Sequence, residues 1–429
     1  MESIIIGKDW RDLEEYGEKG TIFIGRHIVG TGEDTHLTNQ IKMDVSRPHI
    51  VLICGKRGTG KSYTAGVIAE EIERAEEDVK RNLSVIMIDT MGIYWSMKMP
   101  NEKEEELLRE WNMKPAGLKA RLFVPRGYAE DYRKAGISVD REFTIAIKEL
   151  SAEDWNIIFN FSPLSEHGIL VEKAIKRVKS YGKEYSIDDI INEVEREDSV
   201  DSKIKDGVIS MFTAAKDWGV FDIHGTNIEE LMVSGSISIL DVSHYTHIPN
   251  GWSVRSMIVG LISRKIFRKR LVARKSEERE LIGNIKGARI PMVWLIIDEA
   301  HQFLPNIEVT AASQPLLTLI KEGREPGISL VLITQRPNKL HPDALSQADI
   351  VISHRLTSKA DLEALKNIMQ IYMLEDIEEY ISKLPRMKGA AIILDDNSER
   401  ILTAQIRPRI SWHAGGSPLA IEKSEIYGE

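Results

Sequence analysis

The sequence is short of several things, and each shortage excludes something. It holds one cysteine, Cys54, which rules out a disulfide framework and suits a reducing, cytoplasmic setting. Met1 to Trp10 lack the basic start and apolar stretch of a secretory leader. No apolar run approaches the roughly 20 residues that a membrane-spanning helix needs. Positive charge is also short: the formal net charge is −9, so the surface is not coated in cations. Nucleic acid stays admissible, because positive charge is needed only where a strand passes. Glutamine is scarce beside abundant Glu, Lys, Arg and Ile, a mix that points to a heat-adapted source. What is present, 42% hydrophobic and 29% charged residues over 429 positions, is an ordinary globular blend with chain for roughly two or three domains.

One stretch organises the rest. Residues 55–62, Gly-Lys-Arg-Gly-Thr-Gly-Lys-Ser, match the P-loop pattern G-x-x-x-x-G-K-[ST] in full. The β-branched run Ile50 to Cys54 precedes it as a buried strand, and Tyr63 to Ile72 follow as a helix. In that context the glycines let successive N–H groups of Gly55, Lys56, Arg57, Gly58, Thr59, Gly60, Lys61, Ser62 and Tyr63 surround phosphate oxygens. Lys61 then reaches the β- and γ-phosphates and Ser62 binds Mg²⁺. Nucleoside triphosphate binding is the expectation.

Before this loop, Ile4–Ile6, 21–25 and 41–45 are strand candidates in a small β-rich entry. After it, Leu83 to Asp89 is a second buried strand. Asp89 there fits either contact with a metal's water shell or a neighbouring subunit, or capping of the turn before Gly92. Strand-like runs return at 120–124 and 143–147. From Ser151 to about Leu231 the pattern is helical, opening on the capping sequence Ser151-Ala152-Glu153-Asp154. Ser236 to Asp241 returns to the sheet. The helix from Val254 to about Lys275 ends in cations that suit either a solvated C-terminus or phosphate contact; Arg264, Lys265, Arg268 and Lys269 are the candidates for DNA.

Met292 to Ile297 is an apolar strand ending in Asp298-Glu299. Burial of Leu295, Ile296 and Ile297, worth roughly 1.5–3 kcal/mol each, fixes the strand that carries the two acids. Asp298 would hold Mg²⁺ through water beside Ser62, and Glu299 would orient and polarise an attacking water. The strand 329–334 ends in Gln335, where an amide can sense the γ-phosphate. Between them a helix stops at Gly323 and presents Arg324, either a surface residue or an arginine finger for an adjoining subunit. Asp349 to Ser353 forms another core strand.

Together these stretches resemble the HerA family of DNA-translocating ATPases, within the FtsK–HerA group of P-loop proteins. The similarity is carried by 55–62, Asp89-Thr90-Met91-Gly92, 296–301, Gly323-Arg324, 332–337, 345–349 and the tail Arg407-Pro408-Arg409-Ile410-Ser411-Trp412-His413. The resemblance implies an α/β, RecA-like P-loop ATPase with a mostly parallel sheet. Its catalytic core would be Lys61, Ser62, Asp298 and Glu299, with Gln335 as sensor and Arg324 acting in trans within a homohexamer. ATP and Mg²⁺ are the implied ligands, and duplex DNA and a NurA-like nuclease the implied partners. The family's C-terminal extension packs against a neighbour, and the segment from Ser398 to Ile410 and onward resembles it, with His413 as a packing residue.

Two features depart from the family. Residues 1–48 stand where it usually has a complete nuclease-docking barrel, and Asp89-Thr90 where it tends to have Asp-Pro. The expected organisation is a reduced barrel at 1–48, an ATPase core at 49–150 and 232–397, a helical insertion at 151–231 and an extension at 398–429. Asp298 to His301 also spells the DEAH box of superfamily 2 helicases, but those place it nearer the P-loop and add a second RecA-like domain. A GTPase or small kinase is disfavoured, since no N-K-x-D motif occurs. An ATPase ring that serves as a regulatory or defence scaffold remains the alternative function.

Overall fold

Strands that are apolar at every position must be covered on both faces, and this chain has many of them. The computed structural model describes residues 3–30, 34–283, 289–369, 380–381 and 384–416; the ends of the expected first and last segments, 1–2 and 417–429, lie outside these. In chain order the strands are β1 (Ile4–Ile6), β2 (Thr21–Val29), β3 (His36–Asp44), β4 (Ile50–Cys54) and β5 (Leu83–Asp89). Then come β6 (Ala120–Pro125), β7 (Arg141–Phe143), β8 (Ile145–Ala146), β9 (Phe221–Asp222) and β10 (Ile237–Asp241). The last are β11 (Met292–Ile297), β12 (Ile328–Thr334), β13 (Ile350–His354), β14 (Ala390–Asp395) and β15 (Arg400–Ile406).

Thirteen of these form one sheet in the order β1-β3-β2-β15-β14-β13-β4-β12-β11-β5-β10-β6-β7. From β13 to β7 every pairing is parallel. Consecutive side chains face opposite sides. Leu52, Leu295 and Leu330 join the core beneath the inserted helices, while Val51, Ile296 and Val331 join the core beneath the P-loop helix (Lys61–Glu73). The expected α/β, mostly parallel P-loop architecture is what is observed.

Two expectations change. The entry strands do not stand apart as a reduced barrel: β2 pairs with β15, so the first and last strands extend the central sheet. The run 143–147 breaks into β7 on the main sheet and β8 on β9, because the Thr144 N–H is taken by the Thr226 hydroxyl at 2.9 Å. The tail 407–413 crosses the P-loop helix.

The inserted helices span Ala152–Phe159, Glu166–Ser180, Ile187–Glu195 and Ser202–Lys216. Ser151 and Asp154 cap the first reciprocally, at 3.1 and 2.8 Å, and Trp155, Phe159 and Phe212 meet inside with ring centroids 5.0–5.3 Å apart. No helix among the described residues is long and apolar enough to cross a membrane.

His49 leads into β4 between Asp349 and Asp44, at 2.7 and 3.2 Å. Burial opposes its protonation, but the two carboxylates outweigh that and raise it to about 9. A group raised in the folded state contributes fully below its unfolded value and loses that contribution as pH rises through the folded one. Stability is therefore expected to fall by on the order of 3 kcal/mol between about pH 6.5 and 9. Urea unfolding across that range should show this decline in the native chain and a flatter profile in His49→Gln.

Candidate nucleotide site

In a parallel sheet of this kind ligands sit beyond the carboxyl ends of the strands, and the register brings the motifs together there. Cys54 on β4 lies beside Thr334 on β12, so Gly55 and Gln335 leave the sheet side by side. Ile297 on β11 lies beside Leu332 on one flank and Ile88 on the other. Asp298 therefore emerges level with Asp89.

The P-loop is shaped by positions that only glycine fits. Gly55 has φ 150°, and a Cβ there would lie 2.7 Å from His354 Cβ; Gly60 opens the helix at φ 116°. The loop is held from beneath: Lys56 N–H donates to Arg355 O at 3.0 Å, and Thr64 Oγ1 donates to His354 Nε2 at 2.8 Å. His354 gives its Nδ1 proton to Ala390 O at 3.0 Å. Burial, with the charge of Lys61, pushes this imidazole down to about 4, so it is neutral and can accept from Thr64. Lys61 Nζ folds back on Lys56 O at 3.0 Å. Burial lowers its amine below the ordinary value, against the pull of Glu299 and Asp298.

Ser62 Oγ donates to Asp298 Oδ2 at 3.2 Å, joining the loop to the acidic strand end. Burial, then the charge of Glu299, raises Asp298 to about 6. These are hard oxygen donors on two neighbouring elements. A serine and a carboxylate completed by phosphates and water is how Mg²⁺ is usually held, and among the described residues no group of three His, Cys, Asp or Glu could hold an ion unaided. The donor set thus fits a Mg²⁺ that arrives with its nucleotide.

Glu299 takes φ 49° and ψ 45°, a conformation costing a non-glycine residue of order 1–3 kcal/mol. The turn is maintained by its own N–H donating to Asp298 Oδ1 at 2.9 Å. Its carboxylate then receives the Gln335 amide on Oε1. Oε2 is buried without a hydrogen-bond partner among the described residues, 3.4 Å from His301 Nδ1. His301 is in turn 3.1 Å from Thr334 Oγ1, and burial holds its pKa below the ordinary value.

Other residues fall elsewhere. Asp89 caps the turn: its two oxygens accept the N–H groups of Met91, Gly92, Ile93 and Tyr94 at 2.8–3.1 Å. Arg324 is exposed just before β12. β12 is seven residues long, so at about 3.3 Å per residue Arg324 stands roughly 20 Å from its own P-loop, on the opposite sheet edge.

The basic helix spans Gly251–Gly283. Arg264 grips Asp154 at 2.7 and 3.1 Å, Lys265 pairs with Glu149 at 2.7 Å, and Lys269 pairs with Glu229. These three cations fasten the helix to the insertion and its flanking segments, where each is already paired with a carboxylate. Arg268 is exposed and forms no ion pair with the described residues.

The supporting residues Thr64, Tyr94 and His354 carry no motif of their own, and the motif that holds His301 says nothing of its contacts. Only the packed sheet edge reveals them.

Residues 22–266 match the protein family described as "Helicase HerA, central domain". The DNA double-strand break repair helicase HerA of Sulfurisphaera tokodaii is 24% identical over 96% of this chain and 74% of its own length. The probable HerA of Methanocaldococcus jannaschii is 26% identical over 79% of this chain and 68% of its own. Among solved structures, VirB4 of Thermoanaerobacter pseudethanolicus superposes with a TM-score of 0.53 at 13% identity, covering 90% of this chain and 97% of that one. At that identity the likeness is one of fold.

Proposed function

The chain belongs to the HerA family of P-loop ATPases and hydrolyses ATP, and from that premise we propose that it forms a homohexameric ring that moves duplex DNA. Several relatives are named DNA double-strand break repair helicases, and the proposed setting is the processing of DNA ends in the cytoplasm with a NurA-like nuclease. The observation that carries the reading is the joined pair of strand ends. Ser62 and Asp298 face one another at 3.2 Å while Glu299 keeps beside them a buried oxygen that has no hydrogen-bond partner among the described residues.

In the proposed mechanism the N–H groups of 55–63 and the Lys61 amine hold the phosphates. Mg²⁺, once bound, offsets charge on the transferring phosphoryl group. Glu299 Oε2 orients a water for in-line attack and draws off its proton. Gln335, bonded to the other oxygen of the same carboxylate, senses the change and passes it to the segment after β12. Arg324, too far from its own P-loop, would complete the site of the next copy.

ATP turnover measured with and without duplex DNA, on a sample whose subunit number is known from native mass, tests the pump. A severalfold rise with DNA on a six-copy ring is expected. Turnover indifferent to DNA would favour the scaffold reading, which the carboxylate-paired cations of the Gly251–Gly283 helix also favour.

A further inference from the structure

After β15 the chain does not end at the sheet. Residues 407–413 cross the P-loop helix, and at the crossing a fully buried carboxylate meets two fully buried guanidinium groups. Glu70 forms an ion pair with Arg407 Nη1 at 2.9 Å and accepts from Arg409 Nε at 3.1 Å, the N–H groups of Ile410 and Ser411 at 3.1 Å each, and Ser411 Oγ at 2.6 Å. Burial alone would raise the Glu70 pKa, but Arg407 and Arg409 hold it below the ordinary value. Gly66 makes room: a Cβ there would lie 2.7 Å from Arg409 Cζ. At the start of the helix, Tyr63 Oη accepts the Arg409 N–H at 2.6 Å and donates to Glu104 at 2.7 Å.

The crossing segment continues onto the chain after the Asp89 turn. Asn101 Nδ2 donates to Arg409 O at 2.9 Å, Ser96 Oγ to Trp412 O at 3.0 Å, and Trp412 N–H to Met99 O at 2.8 Å. That same segment returns Tyr94 Oη to Ser62 O at 3.4 Å. Ser62 therefore sits between two tyrosines, one held by Arg409 directly and the other through the segment that 407–413 anchors.

A buried carboxylate with two guanidinium groups contributes little net stability over apolar residues of equal volume. What so many directed bonds do fix is register. We propose that residues 407–413 are a positioning strap for the metal-binding hydroxyl. They set the rotation and axial position of the first helical turn, so that Ser62 Oγ meets Asp298. Arg409 is the central positioning residue. This rests on the reading that Ser62 and Asp298 take Mg²⁺.

The test is binding of a non-hydrolysable ATP analogue to the full chain across a Mg²⁺ titration, with melting followed alongside. Partners that orient metal ligands typically account for 10–100-fold in affinity. Arg409→Ala is expected to raise the Mg²⁺ midpoint at least about tenfold and to weaken Mg²⁺-free binding by a smaller factor, since N–H groups of the same helical turn also meet the phosphates. Arg409→Lys, which keeps the charge without the fork, should fall between it and the native chain. Ser411→Ala, a milder change that keeps the fold, should shift the midpoint in the same direction by less. If Arg409→Ala and Ser411→Ala lower the melting temperature yet leave the midpoint in place, the strap is only a clamp and the proposal falls. Ser62→Ala separates the two readings: a midpoint that it fails to move removes the metal site, and the strap's role with it.

Discussion

Glu299→Gln is expected to slow ATP hydrolysis by about 10²–10⁴-fold, the usual contribution of a positioned acid–base group, while ATP still binds. The amide has the volume of the carboxylate and can still accept from Gln335, so the strained turn at φ 49° and the Asp298 contact are preserved. What is lost is the ability of the buried Oε2 to take a proton from water. The phosphate cradle and the Ser62–Asp298 pair are separate groups, so affinity should persist. Single-turnover hydrolysis beside equilibrium ATP binding would separate the two effects. Near-native turnover in this variant would remove Glu299 from its proposed part.

Arg324→Ala is expected to cost about 10³–10⁵ in turnover, the range for arginine fingers in phosphoryl transfer, and to leave ATP affinity in place. The reasoning is geometric. Arg324 lies at the start of β12 whereas the site lies at its end, so loss of activity could not come from the residue's own pocket. Mixing provides the decisive arrangement. An Arg324→Ala chain has an intact P-loop, and a Lys61→Ala chain has an intact arginine. Side by side, the two rebuild one working site at their shared boundary. Recovery of turnover on mixing is the expected result. Two inactive samples that stay inactive when mixed, or a lone protomer hydrolysing ATP at full rate, would overturn action between subunits.

Much of the nucleotide site was legible in the linear order of residues. A glycine-rich turn between an apolar run and a helix, and two acids closing another apolar run, are local patterns whose chemistry follows from neighbours in sequence. The strands 50–54, 83–89, 293–297, 329–334 and 349–353 were readable for the same reason: buried on both faces, they carry no polar alternation. The partners of the cationic helix were not legible, because charge content says nothing about them. Arg264 finds Asp154 only when the insertion folds back over it. Asp89 was ambiguous until its four N–H donors were seen.

By itself, then, the chain's residue order determined that it is a P-loop ATPase and which stretches carry the glycine-rich loop and the two acids. The tertiary structure alone decided that entry and exit strands share the central sheet, that Arg324 stands apart from its own pocket, and that Glu70, Arg407 and Arg409 lock the tail onto the P-loop helix. The physical reason is range. Propensity and periodicity act over a few residues, whereas β2–β15 pairing and the contacts of Glu70 join positions more than 300 residues apart, and those exist only once the sheet has closed.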